Sequence, residues 1–323
     1  MRPDSPIINM STESRIIITG QLMWLVLTIL YHSIVTFICF CVPNVLRPKK
    51  DVSGEVVLIT GGGNGFGRLF ALEFTKLGAT VVLWDINEKG AQDVVEECIA
   101  LGGTAYAYKV DVSKSENVYK AAAAVRRSVG DVTILVNNAG IVQGKKLLEA
   151  PDHLLHLTID VNLKAAFWLF KAFAPSMLEK CHGHIVTMAS AAGFVGVPDL
   201  ADYCASKYAV CGLEEAMFYE MELYNNTGVQ STIIHPFFMN TGMFNGVSIG
   251  VPSIMPMLES HQVMKLCMES ILTNQRYVYA PGGLLRALQI VKTIIPAEAL
   301  TALHRFFGYD KQMLTYTGRE KVA

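Results

Sequence analysis

Glu55-Val56-Val57-Leu58-Ile59-Thr60-Gly61-Gly62-Gly63-Asn64-Gly65-Phe66-Gly67 is the stretch on which the fold turns. Its first half is a short apolar run, the pattern of a strand buried on both faces. Its second half is glycine-rich and opens the amphipathic stretch Phe66–Leu77. Glycine permits positive φ and close approach of a phosphate to the backbone. A helix N-terminus at the same point favours a pyrophosphate charge. The spacing is G-x-x-x-G-x-G, which differs from the G-x-G-x-x-G of other dinucleotide sites. Gly61, Gly65, Phe66 and Gly67 are therefore candidate cofactor contacts, although a glycine-rich turn alone also serves as an ordinary strand-to-helix connection.

Outward from this stretch, apolar strands and helical segments alternate. Strand candidates are Glu55–Thr60, Thr80–Trp84, Thr104–Val110, Thr133–Asn137, His184–Ala189 and Gln230–His235. Helical patterns fall between them at Phe66–Leu77, Lys89–Leu101 (with Asn87 as N-cap), Ser115–Ser128, Asp152–Leu178 and Asp202–Tyr224. Such alternation predicts an α/β chain with a single Rossmann-like, doubly wound parallel sheet.

Several strand ends carry chemistry. Asp85 lies 24 residues past Gly61, where a carboxylate accepts from ribose hydroxyls and repels a 2′-phosphate. No arginine follows it directly, so the pattern favours NAD over NADP. Asp111 and Val112 follow the third strand, where an adenine edge could be read; a helix cap is the other reading, with Ser113 and Ser115 close by. Asn138, Ala139 and Gly140 close the fourth strand, and Ser190 closes the fifth. Tyr203 and Lys207 are four apart and share a helix face.

Taken together, Thr60–Gly67, Asn137–Gly140, Asn162, Ser190, Tyr203 and Lys207 resemble the short-chain dehydrogenase/reductase family over roughly Val52 to Thr241. The resemblance implies catalytic roles for Asn162, Ser190, Tyr203 and Lys207. Tyr203 would be the general acid/base, with a phenol whose ordinary pKa near 10 is too high for work at neutrality. The Lys207 ammonium and a positive nicotinamide would favour phenolate. Lys207 would also hold the nicotinamide ribose, and Ser190 would stabilise charge on the substrate oxygen. Asn162 would position a water that links Lys207 to solvent. One departure stands out: the family often has Pro-Gly after the sixth strand, and here Phe237 follows Pro236. Thr241 keeps its place, so Pro236 and Thr241 complete the candidate cofactor contacts.

Composition bounds the remaining possibilities. The 323 residues are 51% hydrophobic and 17% charged, which excludes a largely disordered chain. A net charge of −1 offers no global attraction to nucleic acid. Seven cysteines without a C-x-x-C pair suit a reducing compartment, and no residue spacing points to a metal. His182 and His184 open a strand without further ligands.

The apolar surplus is concentrated at one end. Ile16–Val42 has no Lys, Arg, Asp or Glu in 27 residues, enough for a membrane span. Arg47, Lys49 and Lys50 follow it, which places the C-terminal side in the cytosol by the positive-inside rule. The sequon Asn225–Thr227 would then stay unmodified. The chain thus divides into residues 1–50 (tail, anchor at 16–42 and linker), a catalytic domain at 51–280, and a C-terminal segment at 281–323. Leu284–Ile295 in that last segment is too short and charged to span, leaving an interfacial helix or a core helix.

A substrate lid is expected at 237–262, rich in Phe, Met, Val and Ile and uncharged until Glu259. That composition suits a flexible lipophilic ligand, or packing on the core or a membrane. The runs Leu83–Asn87, Ala201–Lys207 and Pro236–Phe244 are similar to the epidermal-type retinol dehydrogenases and, more distantly, to lipid-droplet 17-beta-hydroxysteroid dehydrogenases. This similarity implies oxidation of retinol, a steroid or another lipid alcohol at the endoplasmic reticulum or a lipid droplet. It also implies a homodimer built on the helices Asp152–Leu178 and Asp202–Tyr224. A non-catalytic NAD-binding scaffold and an NADPH-dependent carbonyl reductase are the alternatives.

Overall fold

The computed structural model describes residues 12–41, 47–224 and 228–318. The N-terminal tail before Thr12, residues 42–46 of the anchor and linker, and the sequon at 225–227 lie outside the described residues. The chain forms two units, Met1–Pro48 and Lys49–Ala323. The first holds helix α1 (Thr12–Cys41). Within it, Ile17–Val35 is long and apolar enough to cross a membrane, and none of that window is buried. Left in water such a surface is costly, and the hydrocarbon of a bilayer removes that cost.

The second unit is a seven-stranded parallel sheet in the order β3-β2-β1-β4-β5-β6-β7. The strands are β1 (Val56–Thr60), β2 (Thr80–Asp85), β3 (Thr104–Lys109), β4 (Ile134–Asn137), β5 (Gly183–Met188), β6 (Val229–Pro236) and β7 (Tyr277–Ala280). Helices α2 (Gly65–Lys76), α3 (Glu88–Ala100) and α8 (Ser260–Leu272) cover one face. Helices α4 (Ser115–Ser128), α6 (Ala165–Glu179) and α7 (Ala201–Leu223) cover the other, with α5 (Asp152–Ile159) leading into α6. Both faces are thereby dry, as a parallel sheet requires. Phe70 and Phe74 of α2 are fully buried against one face. Trp84 of β2 packs on Phe173 of α6 on the other, ring centroids 5.6 Å apart.

The doubly wound sheet expected from sequence is present, with two local differences. β7 was not foreseen. Its four residues, Tyr-Val-Tyr-Ala, are too few to show a period, and pairing with β6 (Ile234 opposite Val278) stabilises them. The segment expected as one helix at Asp152–Leu178 is interrupted by a π-turn at Asp160–Lys164. Such a turn has no signature in hydrophobic spacing, and it places Asn162 inside the fold.

Beyond β7, α9 (Gly282–Ile294) and α10 (Ala297–Phe306) return to the carboxyl end of the sheet. Leu285, Leu288, Tyr309 and Met313 join a cluster with Phe194, Leu200, Tyr203, Phe237 and Phe238. The opposite side of these helices stays apolar and exposed at Ile290, Ile294 and Phe306. Phe74→Ala removes a ring that is 0% exposed. It should lower the free energy of unfolding by about 3–5 kcal/mol, read from the midpoint of denaturant unfolding in detergent.

Candidate active site

In the sheet, β1 and β4 are neighbours and their connections run to opposite sides, so a crevice opens at their carboxyl ends. Thr60 closes its floor. The Thr60 hydroxyl accepts from the backbone N–H groups of Asn138 (3.1 Å) and Ala139 (3.0 Å). The Asn138 amide donates back to the Thr60 and Gly61 carbonyls at 2.9 and 3.2 Å. Asn138 thus ties the end of β4 to the glycine-rich loop. Asn137–Gly140 was expected to approach a cofactor; Ala139 and Gly140 do line the crevice, and Asn138 also braces the loop.

The loop leaves room that only glycine can leave. Gly61 has φ +65°. A Cβ on Gly67 would lie 2.1 Å from the Gly61 carbonyl oxygen. Gly63 donates its N–H to Asp85 Oδ2 at 2.9 Å, and Asn87 donates to Oδ1 at 2.9 Å. The Asp85 carboxylate is therefore held in place at the end of β2, with lone pairs left for a diol. Gly61, Phe66, Gly67, Asp85, Asp111, Val112, Asn138, Ala139, Gly140, Pro236 and Thr241 all border one crevice of about 390 Å³. Gly65 starts α2 beside them with φ +52°. Asp111 turns its carboxylate to Ser113, accepting from the backbone at 3.0 Å and the hydroxyl at 2.6 Å. Its side chain therefore shapes the β3–α4 loop without capping α4, whose N-cap is Lys114, while the residue still lines the crevice. The cradle suits a dinucleotide. Among the described residues that line it, Lys207 is the sole cation, and nothing beside Asp85 would match a 2′-phosphate.

Ser190, Tyr203 and Lys207 meet at the far end of the same crevice. Ser190 caps the short turn Ala191–Gly193, its hydroxyl accepting from Ala192 N–H at 3.1 Å. The Ser190 hydroxyl is also hydrogen-bonded to Tyr203. Burial drives the Tyr203 phenol above its ordinary value, and the Ser190 bond pulls the other way. Lys207 donates to the Met188 carbonyl at 2.6 Å and sits 5.7 Å from the centre of the Tyr203 ring. Burial lowers its ammonium to about 8. The sequence reading has Lys207 and a positive nicotinamide favour phenolate; in this geometry desolvation is the largest influence on Tyr203.

Asn162 reaches the site from the π-turn. Its Oδ1 accepts from Ile141 N–H at 2.8 Å, and its Nδ2 donates to the Ile141 carbonyl and to Ser206 Oγ at 3.0 and 3.1 Å. Both amide hydrogens are engaged. A relay water at this point would have to be held by an oxygen of Asn162, since the amide hydrogens brace the β4 loop against α7.

Next to the crevice is a second, much smaller space of about 30 Å³, lined by Ala191, Ala192, Val195, Val197, Leu200 and Phe238. Ser190 and Tyr203 bring hydroxyl groups to its lining. Phe237, where glycine is usual, forms part of its wall and packs on Phe238 with ring centroids 4.8 Å apart. Of the segment 237–262 expected as a lid, the last three residues belong to α8, which begins at Ser260. Two lining residues, Leu288 and Tyr309, come from the C-terminal segment and were not foreseen as part of the site. His235 was missed as well. Its Nδ1–H donates to the Ser190 carbonyl at 3.2 Å, and its ring stacks on Tyr279 at 5.0 Å. Its position just before Pro236 was the available signal. Among the described residues no group of three or more His, Cys, Asp or Glu could hold a metal ion. His182 pairs with Glu55, and His184 bonds Lys50 and Thr232.

Comparison with known proteins adds findings of three kinds. A family profile described as short chain dehydrogenase matches residues 55–250. Human Epidermal retinol dehydrogenase 2 is 45% identical over 274 residues, covering 82% of this chain and 88% of that protein. Retinol dehydrogenase 10-B of Danio rerio is 40% identical over 301 residues, covering 86% and 89%. A crystal structure of a short chain dehydrogenase/reductase from Burkholderia phymatum in complex with NAD aligns with TM-score 0.67 and 28% identity, over 77% of this chain and 98% of that one. A metagenomic short-chain oxidoreductase in complex with NADP aligns with TM-score 0.55 and 34% identity, over 58% and 84%.

Burial holds the His235 imidazole down at about 4, against the opposing effect of its bond to Ser190. A base whose folded pKa is depressed adds stability that is complete above pH 6.5 and lost as pH falls toward 4. His235→Asn should therefore flatten the fall of unfolding free energy between pH 6.5 and 4, measured by urea titration at a series of pH values.

Proposed function

This chain belongs to the short-chain dehydrogenase family, and from that premise we propose that it is an NAD-dependent oxidoreductase that interconverts a lipophilic alcohol and its carbonyl. The observation that carries the reading is the meeting of Ser190 and Tyr203 at the seam between a dinucleotide-shaped crevice and an apolar cavity. Bound NAD would supply the hydride acceptor. Gly61, Gly65, Phe66 and Gly67 would take its pyrophosphate, Asp85 its adenosine ribose, Asp111 and Val112 its adenine. Lys207 would take the nicotinamide ribose, and Pro236 and Thr241 the amide end.

Each catalytic role follows from a contact. Ser190 donates to the substrate oxygen and fixes it beside the Tyr203 hydroxyl. Tyr203 removes the hydroxyl proton as the alcohol is oxidised, and returns it in the reverse direction. Its burial, which opposes phenolate, also excludes water from the reacting carbon. Lys207 and the cofactor's positive ring supply the charge that makes phenolate accessible when substrate is bound. Asn162 keeps the β4 loop at the correct distance from α7.

Retinol is the substrate we favour, and the named relatives support it. A mostly apolar lining suits a polyene chain, and polar sugars would leave their hydroxyls unpaired there. The apolar exposed helix α1 supports membrane attachment, with Arg47, Lys49 and Lys50 keeping the catalytic unit in the cytosol. The exposed apolar side of α9 and α10 supports a second, interfacial contact with the endoplasmic reticulum or a lipid droplet. The dimer through α5–α6 and α7 rests on the family resemblance.

Tyr203→Phe tests the reading directly. Purified protein in detergent, with NAD and all-trans-retinol, should lose about 10²–10⁴-fold in kcat while NAD affinity stays within about twofold. Turnover at the unmodified rate would remove Tyr203 from the chemistry. Cofactor choice is tested by Asp85→Ser. The ratio of kcat/KM for NADP over NAD should rise about tenfold or more, because a carboxylate facing a phosphate is removed.

A further inference from the structure

The chain after α10 runs back along the lid in antiparallel fashion. Gly250 meets the Phe307 carbonyl, where a Cβ would come within 2.5 Å. Ser248 donates its N–H to the Gln312 carbonyl at 3.0 Å. The Thr315 hydroxyl donates to the Gly246 carbonyl. Thr317 and Gly318 both donate their N–H groups to the Asn245 carbonyl, at 3.0 and 3.3 Å. The lid is thus paired along its length by the C-terminal segment.

Tyr316 stands at the centre of this seam. Its hydroxyl lies 3.3 Å from the Met243 carbonyl in the lid and 3.4 Å from the Val142 carbonyl in the loop after β4. One O–H therefore bridges two loops. The crevice is lined on these loops by Gly140 and Ile141 on one side and by Met243 and Phe244 on the other. The Tyr316 ring rests on Gly144, where φ is +63° and a Cβ would approach the ring to 2.2 Å. Phe244, next to Met243, meets the Tyr203 ring edge-on at 5.9 Å and the Phe238 ring at 4.8 Å. Hence the position of the Tyr316 hydroxyl is linked through one residue to the ring that covers Tyr203.

We infer that Tyr316 is a positioning residue of the active site: it latches the lid to the β4 loop and sets Phe244 against Tyr203, so that the C-terminal segment defines the wall met by a long apolar alcohol. The inference rests on the proposed alcohol oxidation for its kinetic consequence, and its geometric half stands apart from it. A short alcohol needs little of that wall, whereas a retinoid needs all of it. The latch should therefore appear in the KM of the long substrate.

Tyr316→Phe keeps the ring on Gly144 and removes only the bridging hydroxyl. With the full-length protein, the KM for retinol should rise about 3- to 10-fold, as expected for losing one hydrogen bond. The kcat and the NAD affinity should stay within about twofold. Hydrogen exchange of the NAD-bound protein, followed by mass spectrometry over 243–250 and 312–318, should be faster in the variant. Unchanged exchange overturns the latch. Faster exchange with an unchanged KM overturns the positioning role, since it leaves Tyr316 a structural brace. Should the unmodified protein turn over no lipophilic alcohol, the proposed function fails, and the exchange measurement alone decides the latch.

Discussion

The Thr60 hydroxyl is the point on which the site depends. It accepts two backbone N–H groups from the end of β4 while belonging to the end of β1. A buried hydroxyl with these partners holds the two strand ends at one separation, and leaving either N–H unpaired there would cost about 1–3 kcal/mol. The glycine-rich loop departs from that fixed edge, and Asn138 pins the loop back to it. Only then does the turn at Gly61–Gly67 have a definite shape. Everything that a dinucleotide would touch on this side of the sheet is positioned from Thr60 outward.

The opposite side of the crevice is governed by desolvation. Tyr203 and Lys207 are 5% exposed, and their environment opposes the charged form of each. Burial therefore makes the resting pair reluctant to carry charge. On the proposed function, a cationic nicotinamide ring bound in the crevice would favour the phenolate and offset part of that burial. His235 contributes from behind. It is neutral and buried, and its N–H fixes the Ser190 backbone without adding a charge near the phenol.

Local chemistry made much of this legible in the sequence. Strand ends were marked by Thr60, Asp85, Asn137 and Ser190, because a residue that must leave the sheet and face a ligand breaks the apolar run. The i,i+4 spacing of Tyr203 and Lys207 put them on one helix face without any knowledge of tertiary structure. What stayed hidden depends on partners far away in the chain. Leu288 and Tyr309 look like ordinary amphipathic residues, and only the return of the C-terminal segment brings them to the cavity. The π-turn at Asn162 alters helix geometry with no change in hydrophobic period. The role of Asn138 as a brace depends on which carbonyls its amide meets, which composition does not specify.

The C-terminal segment changes how the hydrophobicity of the chain should be understood. An apolar stretch in a chain that also carries a membrane-type helix invites one explanation, adhesion to lipid. Here one side of that segment is committed inward, through Leu285, Leu288 and Tyr309, to the cluster around Tyr203. Its other side, at Ile290, Ile294 and Phe306, remains open. Helix α9 carries Arg286 and Lys292 as well as Ile290 and Ile294, so its open side is mixed, a composition that suits an interface with lipid. The same element thus lines the cavity at Leu288 on one side and leaves apolar side chains open on the other, so the proposed substrate would meet one helix both at the protein surface and beside Ser190 and Tyr203.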